Sequence, residues 1–379
     1  MKRRQFIVAA GASALLAGAA DLSWQAPPRF ERPDIGSDEG GLWGMMDRQE
    51  ARIRRSPFEV REGGLRDYVQ AMACRLAGEH CPDVRVHVIH APTFNASMAP
   101  NGMLQIYTGL LLRIENEAQL AAVLAHEIGH YLARHSLQQL REARSRSALA
   151  QFVSVFGLPG LVGNLAIVAG MYSYTREHER EADRIGLILM HQSGYAATEA
   201  ARIWANLLKE LEARPGGDPA RDNAMFATHP NSAERQATLA ALAADMPAGE
   251  RGESAYLEQI KPFRLEWLHD EIRRGQHEES IALFSRMMAR WPSQADVVYA
   301  RGEIYRTRAG DGDLKRALED FSAALALGGA PPVSLRSLGY TYRQLGRTAE
   351  AADALRQYLA VAPDAPDAPL IKSYIETAK

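Results

Sequence analysis

His126-Glu127-Ile128-Gly129-His130 is the feature that most narrows what this 379-residue chain can become. Residues four apart on a helix stand one above the other on one face, so both imidazoles can reach a single metal ion. Glu127 lies beside them, placed to take a proton from water. Leu120, Val123, Leu124, Ile128 and Tyr131 make most of this helix apolar, which puts the pentapeptide in a core. Buried polar groups without partners are expensive, and one zinc ion with its water satisfies all three side chains. Asn116 with Gln119 supplies a capped start, and the helical pattern predicts a segment from about Asn116 to Arg144. Gly129 costs about 1 kcal/mol inside a helix, which implies that another element approaches closely there.

Zinc needs at least a third protein ligand. The metzincin solution, a histidine six residues after the second, fails because Ser136 stands there and Ala133 replaces the glycine of that pattern. A glutamate on a later helix is the other common solution. Glu179-Arg180-Glu181-Ala182-Asp183 offers Glu179 as the ligand, with Asp183 on the same face, able to accept an N–H from a zinc-bound histidine. Taken alone, this acidic cluster also reads as a solvated helix face.

Length favours two domains or one domain plus a repeat array. Apolar residues at 46% and charged residues at 24% are ordinary globular values, which excludes wholesale disorder and a multi-span membrane protein. With 44 basic against 46 acidic residues, nothing global attracts phosphates, and no nucleic-acid partner is expected. Residues 1–20 read as an export signal, with Lys2, Arg3 and Arg4 before an uncharged run that ends in Ala17-Gly18-Ala19-Ala20. Arg3-Arg4-Gln5-Phe6-Ile7 resembles the twin-arginine signal, the alternative being an ordinary secretory signal. Either predicts a periplasmic or otherwise exported protein. Residues 21–44 read as an irregular lead-in. Leu65, Val69, Met72 and Leu76 predict a helix that stops at Gly78, and Val84–Ile89 predicts a strand. Pro100-Asn101-Gly102 predicts a hairpin between Ala96–Ala99 and Met103–Tyr107. Further helices are expected over about 176–193 and 197–213. The fold expected for 45–250 is α+β, mostly helical, with a small sheet.

Residues 255–379 repeat themselves. Phe284, Phe321 and Leu355 are 37 and 34 residues apart, Gly302 and Gly339 are 37 apart, and Tyr305 and Tyr342 keep that offset. This period resembles the tetratricopeptide family, with an insertion at Gly310-Asp311-Gly312. It predicts an all-α array in which small residues let paired helices pack closely while large ones fill the gap.

His126–His130, Glu179–Gly186, and Thr228-His229-Pro230 with Arg235 together resemble the CAAX prenyl endopeptidases and their soluble bacterial relatives. With the export signal and the repeats, the chain looks most like the periplasmic β-barrel assembly-enhancing type. The resemblance implies a gluzincin zinc endopeptidase with one zinc ion per chain, held by His126, His130 and Glu179, and with Glu127 as general base and then general acid. It also implies His229 as a fourth, inhibitory ligand, Arg235 near the site, and Asn95, Ala96, Ser97 and Met98 as an edge that binds substrate as an added strand. Unfolded or misassembled envelope proteins are the implied substrates, and an outer-membrane assembly complex the partner reached through the repeats. A different class of function is a repeat-based chaperone or assembly factor with a latent protease site.

Two weaker signals remain. No charge occurs between Arg146 and Arg176, and Gly157, Pro159, Gly160 and Gly163 interrupt the run. Residues 148–175 are therefore expected to form two short apolar helices beside the site, touching a membrane surface or a second subunit, with a membrane span as the alternative. Cys74 and Cys81 are too far apart for a bond on one continuous helix, but Gly78 ends the helix first. A disulfide is expected in an oxidising compartment.

Overall fold

The computed structural model describes residues 24–145, 174–216, 225, 229 and 232–377. The export signal, nearly all of the uncharged 148–175 segment, Thr228 and Pro230 lie outside them. Among the described residues no helix is long and apolar enough to cross a membrane.

The chain is α+β and mostly helical, and its described residues hold one three-stranded sheet. Helix α1 (Asp38–Ile53) comes first, which corrects the reading of 21–44 as irregular throughout. Ser37 accepts a hydrogen bond from the Gly40 amide at 3.0 Å, Asp38 and Glu39 occupy the first turn, and Leu42, Met46 and Ile53 are buried. Gly40, Gly41 and Gly44 dilute the apolar period in the sequence.

Helix α2 (Gly63–Ala77) ends at Gly78, and Cys74 and Cys81 are joined by a disulfide across the turn that follows. Strands β1 (Arg85–Ile89), β2 (Ala96–Met98) and β3 (Met103–Tyr107) lie in the order β1-β3-β2. Strand β1 pairs parallel with β3 and β2 pairs antiparallel, so β2 is an edge. The turn between β2 and β3 requires glycine: Gly102 has φ +89°, and a Cβ there would sit 2.0 Å from the Asp83 carbonyl oxygen.

Helix α3 (Thr108–Arg113) leads into α4 (Glu117–Leu132), which carries the pentapeptide and is buried from Ala118 to Leu132. The side chain of Asn116 accepts from the Gln119 amide at 2.9 Å, and that of Gln119 accepts from the Glu115 amide at 3.0 Å. Both side-chain amides also donate to Glu199. The single long helix expected from Asn116 to Arg144 is instead α4 and α5 (His135–Ser145), divided at Arg134. Arg134 has φ +57°, a left-handed conformation that costs a non-glycine residue about 1 kcal/mol. It is held by an ion pair with Glu39 on α1 and by stacking over Phe30, 5.0 Å from the ring centre.

Helices α6 (Arg176–Gln192) and α7 (Glu199–Glu212) pack on α4, and α8 (Ser232–Ala244) packs on both of them. Helix α9 (Glu253–Arg273) precedes α10 (His277–Arg290), α11 (Ala295–Arg308), α12 (Asp313–Leu327), α13 (Val333–Gln344), α14 (Thr348–Val361) and α15 (Ala368–Thr377). In α11/α12, a Cβ on Gly302 would meet Phe321 at 2.7 Å, and in α13/α14 one on Gly339 would meet Leu355 at 2.7 Å. Small and large repeat positions thus face each other.

One apolar core runs from Leu65 through α4 to Trp267, Phe284 and Ile304, crossing the 250–255 boundary. A buried charge cluster crosses it as well. Arg113 of α3, 3% exposed, donates to Glu210 of α7 at 2.7 Å and to Glu271 of α9 at 2.9 Å.

Candidate metal centre

Helix α4 presents His126 and His130 one turn apart, and α6 packs directly against that face. Gly129 and Gly186 make the close approach possible: a Cβ on Gly129 would stand 2.9 Å from the Ala182 carbonyl oxygen, and one on Gly186 would stand 3.2 Å from the His126 nitrogen. The α6 start is capped by Thr175, whose hydroxyl accepts from the His178 amide at 3.2 Å. One turn later Glu179 enters the same buried space.

His126, His130, Glu179 and His229 converge, each offering one ligand atom, with those atoms within 4.8 Å of one another. His126 Nε2 lies 3.1 Å from His130 Nε2 and 3.2 Å from His229 Nδ1. Glu179 Oε1 lies 3.4 Å from His130 Nε2 and 2.8 Å from His229 Nδ1. The edges of a tetrahedron around zinc with bonds of about 2.0–2.1 Å are about 3.3 Å, close to this spacing.

The protons of the two ligand histidines have acceptors elsewhere. His126 Nδ1 is 3.0 Å from Asp183 Oδ1, and His130 Nδ1 is 2.8 Å from His135 Nδ1. Arg235 Nη2 is 3.2 Å from His126 Nδ1 too, but a guanidinium cannot accept, so the anion Asp183 fixes the proton there. Two Nε2 lone pairs are left facing each other in a buried site. Such a pair repels unless a cation lies between, so the donor set fits zinc.

Asp183 and Glu179 are held in turn by Arg235 on α8. Its Nε and Nη2 donate to Asp183 at 2.8 and 2.7 Å, its Nη1 pairs with Glu179 Oε2 at 2.8 Å, and its guanidinium lies 4.6 Å over the Trp204 ring. Burial alone would raise the Asp183 carboxyl, but the charge and hydrogen bonds of Arg235 outweigh it and keep it below its ordinary value. For Glu179 the same contest is won by the charges of His229 and Arg235.

Glu127 behaves in the opposite way. It is 1% exposed, and burial lifts its carboxyl above the ordinary value although His229 and His126 pull it down. Its Oε2 accepts from the Met98 amide at 3.2 Å, while Oε1 has no hydrogen-bond partner among the described residues and lies 3.6 Å from His229 Nε2. The edge strand therefore touches the carboxylate directly. The Ala99 amide donates to the Met103 carbonyl and the Tyr107 amide to the Asn95 carbonyl, so Asn95, Ser97 and Ala99 face β3. The main-chain groups of Ala96 and Met98 point away from β3, and the Met98 N–H is the one that reaches Glu127.

Two buried neighbours have no counterpart in the sequence reading. Tyr174 stacks on His130 with ring centres 3.8 Å apart, and its hydroxyl lies 3.0 Å from Ser136 Oγ. His135 is fully buried, and burial drives its imidazole down to about 4 despite Glu181, so it is neutral at pH 7. A histidine five residues past His130 was the available signal, but only the turn at Arg134 brings it back over that ring.

Residues 59–243 match the profile of peptidase family M48. The mitochondrial metalloendopeptidase OMA1 of Arabidopsis thaliana is 32% identical over 155 residues, which are 41% of this chain and 30% of that protein. OMA1 of Schizosaccharomyces pombe is 34% identical over 152 residues, 40% of this chain and 44% of that one. The β-barrel assembly-enhancing protease of Escherichia coli is 30% identical over 186 residues, 43% and 38% respectively. The chain spans less than half of these relatives' lengths. The converging histidines and glutamates all fall inside the matched stretch, and residues 59–243 belong to peptidase family M48.

Proposed function

We propose that the chain is an exported zinc endopeptidase that cleaves unfolded or misassembled envelope proteins. The observation that carries this reading is the pair of Nε2 lone pairs on His126 and His130 meeting the Glu179 carboxylate, with Glu127 Oε1 unbonded among the described residues beside the sheet edge.

His126, His130 and Glu179 would hold the zinc ion. When bound, the ion supplies Lewis acidity that acidifies water and polarises a peptide carbonyl. Substrate main chain pairs with the outward N–H and C=O of Ala96 and the C=O of Met98 on β2, the Met98 N–H being held by Glu127, a mode that ignores side-chain identity and suits unfolded clients. Asn95 and Ser97 hold the strand to β3. Glu127 takes the proton of the attacking water at Oε1 and returns it to the leaving amine. Its raised pKa brings it nearer the operating pH for both transfers. The Met98 amide on Oε2 orients the carboxylate, so the strand that receives substrate also aims the base. Arg235 and Asp183 position the ligands without touching substrate.

The C-terminal helix pairs, with their tetratricopeptide-like spacing, would recruit clients or an outer-membrane assembly complex; the similarity to the β-barrel assembly-enhancing protease of E. coli supports that client class. The 148–175 segment would contact a membrane surface. One observation favours the second reading, a chaperone or assembly factor with a latent site. His229 Nδ1 stands at the fourth corner of the ligand set, and a catalytic zinc site must keep one position open.

Incubating the full chain with casein, with and without a chelator, tests the proposal. Chelator-sensitive cleavage restored by zinc is expected. Absence of cleavage both in the native chain and in His229→Ala would end the peptidase reading.

A further inference from the structure

His130 and His126 are ligand candidates on the same helix, yet their outer nitrogens are handled differently. His126 Nδ1 meets a carboxylate anchored by Arg235, whereas His130 Nδ1 meets another imidazole, His135 Nδ1, at 2.8 Å. Two Nδ1 atoms at that distance share one proton. His130 Nε2 faces His126 Nε2 and Glu179 Oε1, and it can offer a lone pair there only if the His130 proton is on Nδ1. His135 Nδ1 must then be the acceptor, and the His135 proton lies on Nε2, 3.3 Å from Glu181 Oε2. The three groups form one consistent chain: His130 donates to His135, and His135 donates to Glu181.

The surroundings hold His135 in that pose. Its ring is fully buried and stacks on His178 with centres 4.3 Å apart, while Tyr174 covers the His130 face. On an unbroken helix a residue five positions on would be turned about 140° away from His130. The left-handed turn at Arg134 removes that mismatch, and Glu39 and Phe30 hold Arg134 in it.

We infer that His135 is a positioning residue for zinc: its Nδ1 takes the His130 Nδ1 proton and thereby presents the His130 Nε2 lone pair to the ion. This rests on the zinc reading above. Groups that orient a metal ligand in this way typically change metal affinity 10- to 100-fold, an effect separable from activity.

The test compares His135→Asn with His135→Leu in the full chain. The two are nearly the same size, but only asparagine keeps an acceptor oxygen near the His135 Nδ1 position. Zinc affinity is read by competition with a chromogenic chelator. Leucine is expected to weaken it about 10- to 100-fold and asparagine less than about 5-fold. Equal affinities in both variants, whether native-like or equally weakened, overturn the inference and leave the zinc reading intact. A native chain that takes up no zinc overturns both. Nitrogen-15 histidine spectra of the zinc-loaded native chain give a reading independent of any variant. A protonated Nδ1 on His130 and a bare Nδ1 on His135 are expected, and a proton on His135 Nδ1 would refute the assignment.

Discussion

Gly129 meets the backbone of Ala182 so closely that a single added carbon would stand 2.9 Å from its carbonyl oxygen. The helix bearing the two histidines and the helix bearing Glu179 cross with no side chain between them at that point. Gly129→Ala gains about 1 kcal/mol of helix propensity but must push α6 away, an overpacking cost of about 1–3 kcal/mol. A small net loss of stability is expected in urea unfolding. Zinc affinity should fall more clearly, because Glu179 rides on the displaced helix; unchanged affinity would show that the crossing does not set the ligand distance.

Glu127→Gln separates metal binding from proton transfer. The amide keeps an oxygen for the Met98 amide but cannot take a proton at Oε1. Bound zinc should equal that of the native chain, and casein cleavage should fall by about 10²- to 10⁴-fold. Cleavage within tenfold of native would remove Glu127 from its role.

His229→Ala tests latency. Its Nδ1 occupies a corner of the ligand set 3.2 Å from His126 Nε2, so its removal should raise casein turnover if that corner competes with water. Lower turnover, with zinc content unchanged, would mean that His229 assists the reaction instead.

A pH dependence arises at Glu50, whose partners are Arg85, His87, Arg54 and Asn101. Burial by itself would raise its carboxyl, but hydrogen bonds from Arg85 and His87 outweigh that and hold it well below the usual range. A depressed folded-state pKa means that the stabilisation is fully present above the unfolded value of about 4.3 and is lost as pH falls through the folded value. Native stability should therefore drop between pH 5 and pH 3, measured as the urea midpoint. Glu50→Gln should be less stable at pH 7 and show a flatter decline, and a decline of identical slope would assign the acid sensitivity to other carboxylates.

The chemistry was more legible in the sequence than its support. Helical spacing alone puts His126 with His130 and Glu179 with Asp183, because one period of 3.6 residues decides which side chains share a face. His229 was reachable only through a family likeness, since nothing local to Thr228-His229-Pro230 points at a metal. His135 showed only as a histidine five residues past His130, with nothing to place it, and Tyr174 was not legible at all. The turn at Arg134 depends on Glu39 and Phe30, some hundred residues upstream, and no local propensity encodes such contacts. Helix α1 was hidden for the opposite reason, its three glycines masking an apolar stripe that packing against Tyr107 and Met103 makes stable. The disulfide was legible from a turn signal, as Gly78 reverses the chain between Cys74 and Cys81.

The bridge from Arg113 to Glu210 and Glu271 bears on anyone wishing to study the two halves apart. A gene cut near codon 250 would delete Glu271 while leaving Arg113 and Glu210 in place, and with it the Trp267 and Phe284 side chains that complete the shared apolar interior. The amino-terminal fragment would keep a guanidinium short of one carboxylate and an uncovered greasy surface, a recipe for inclusion bodies rather than a minimal enzyme.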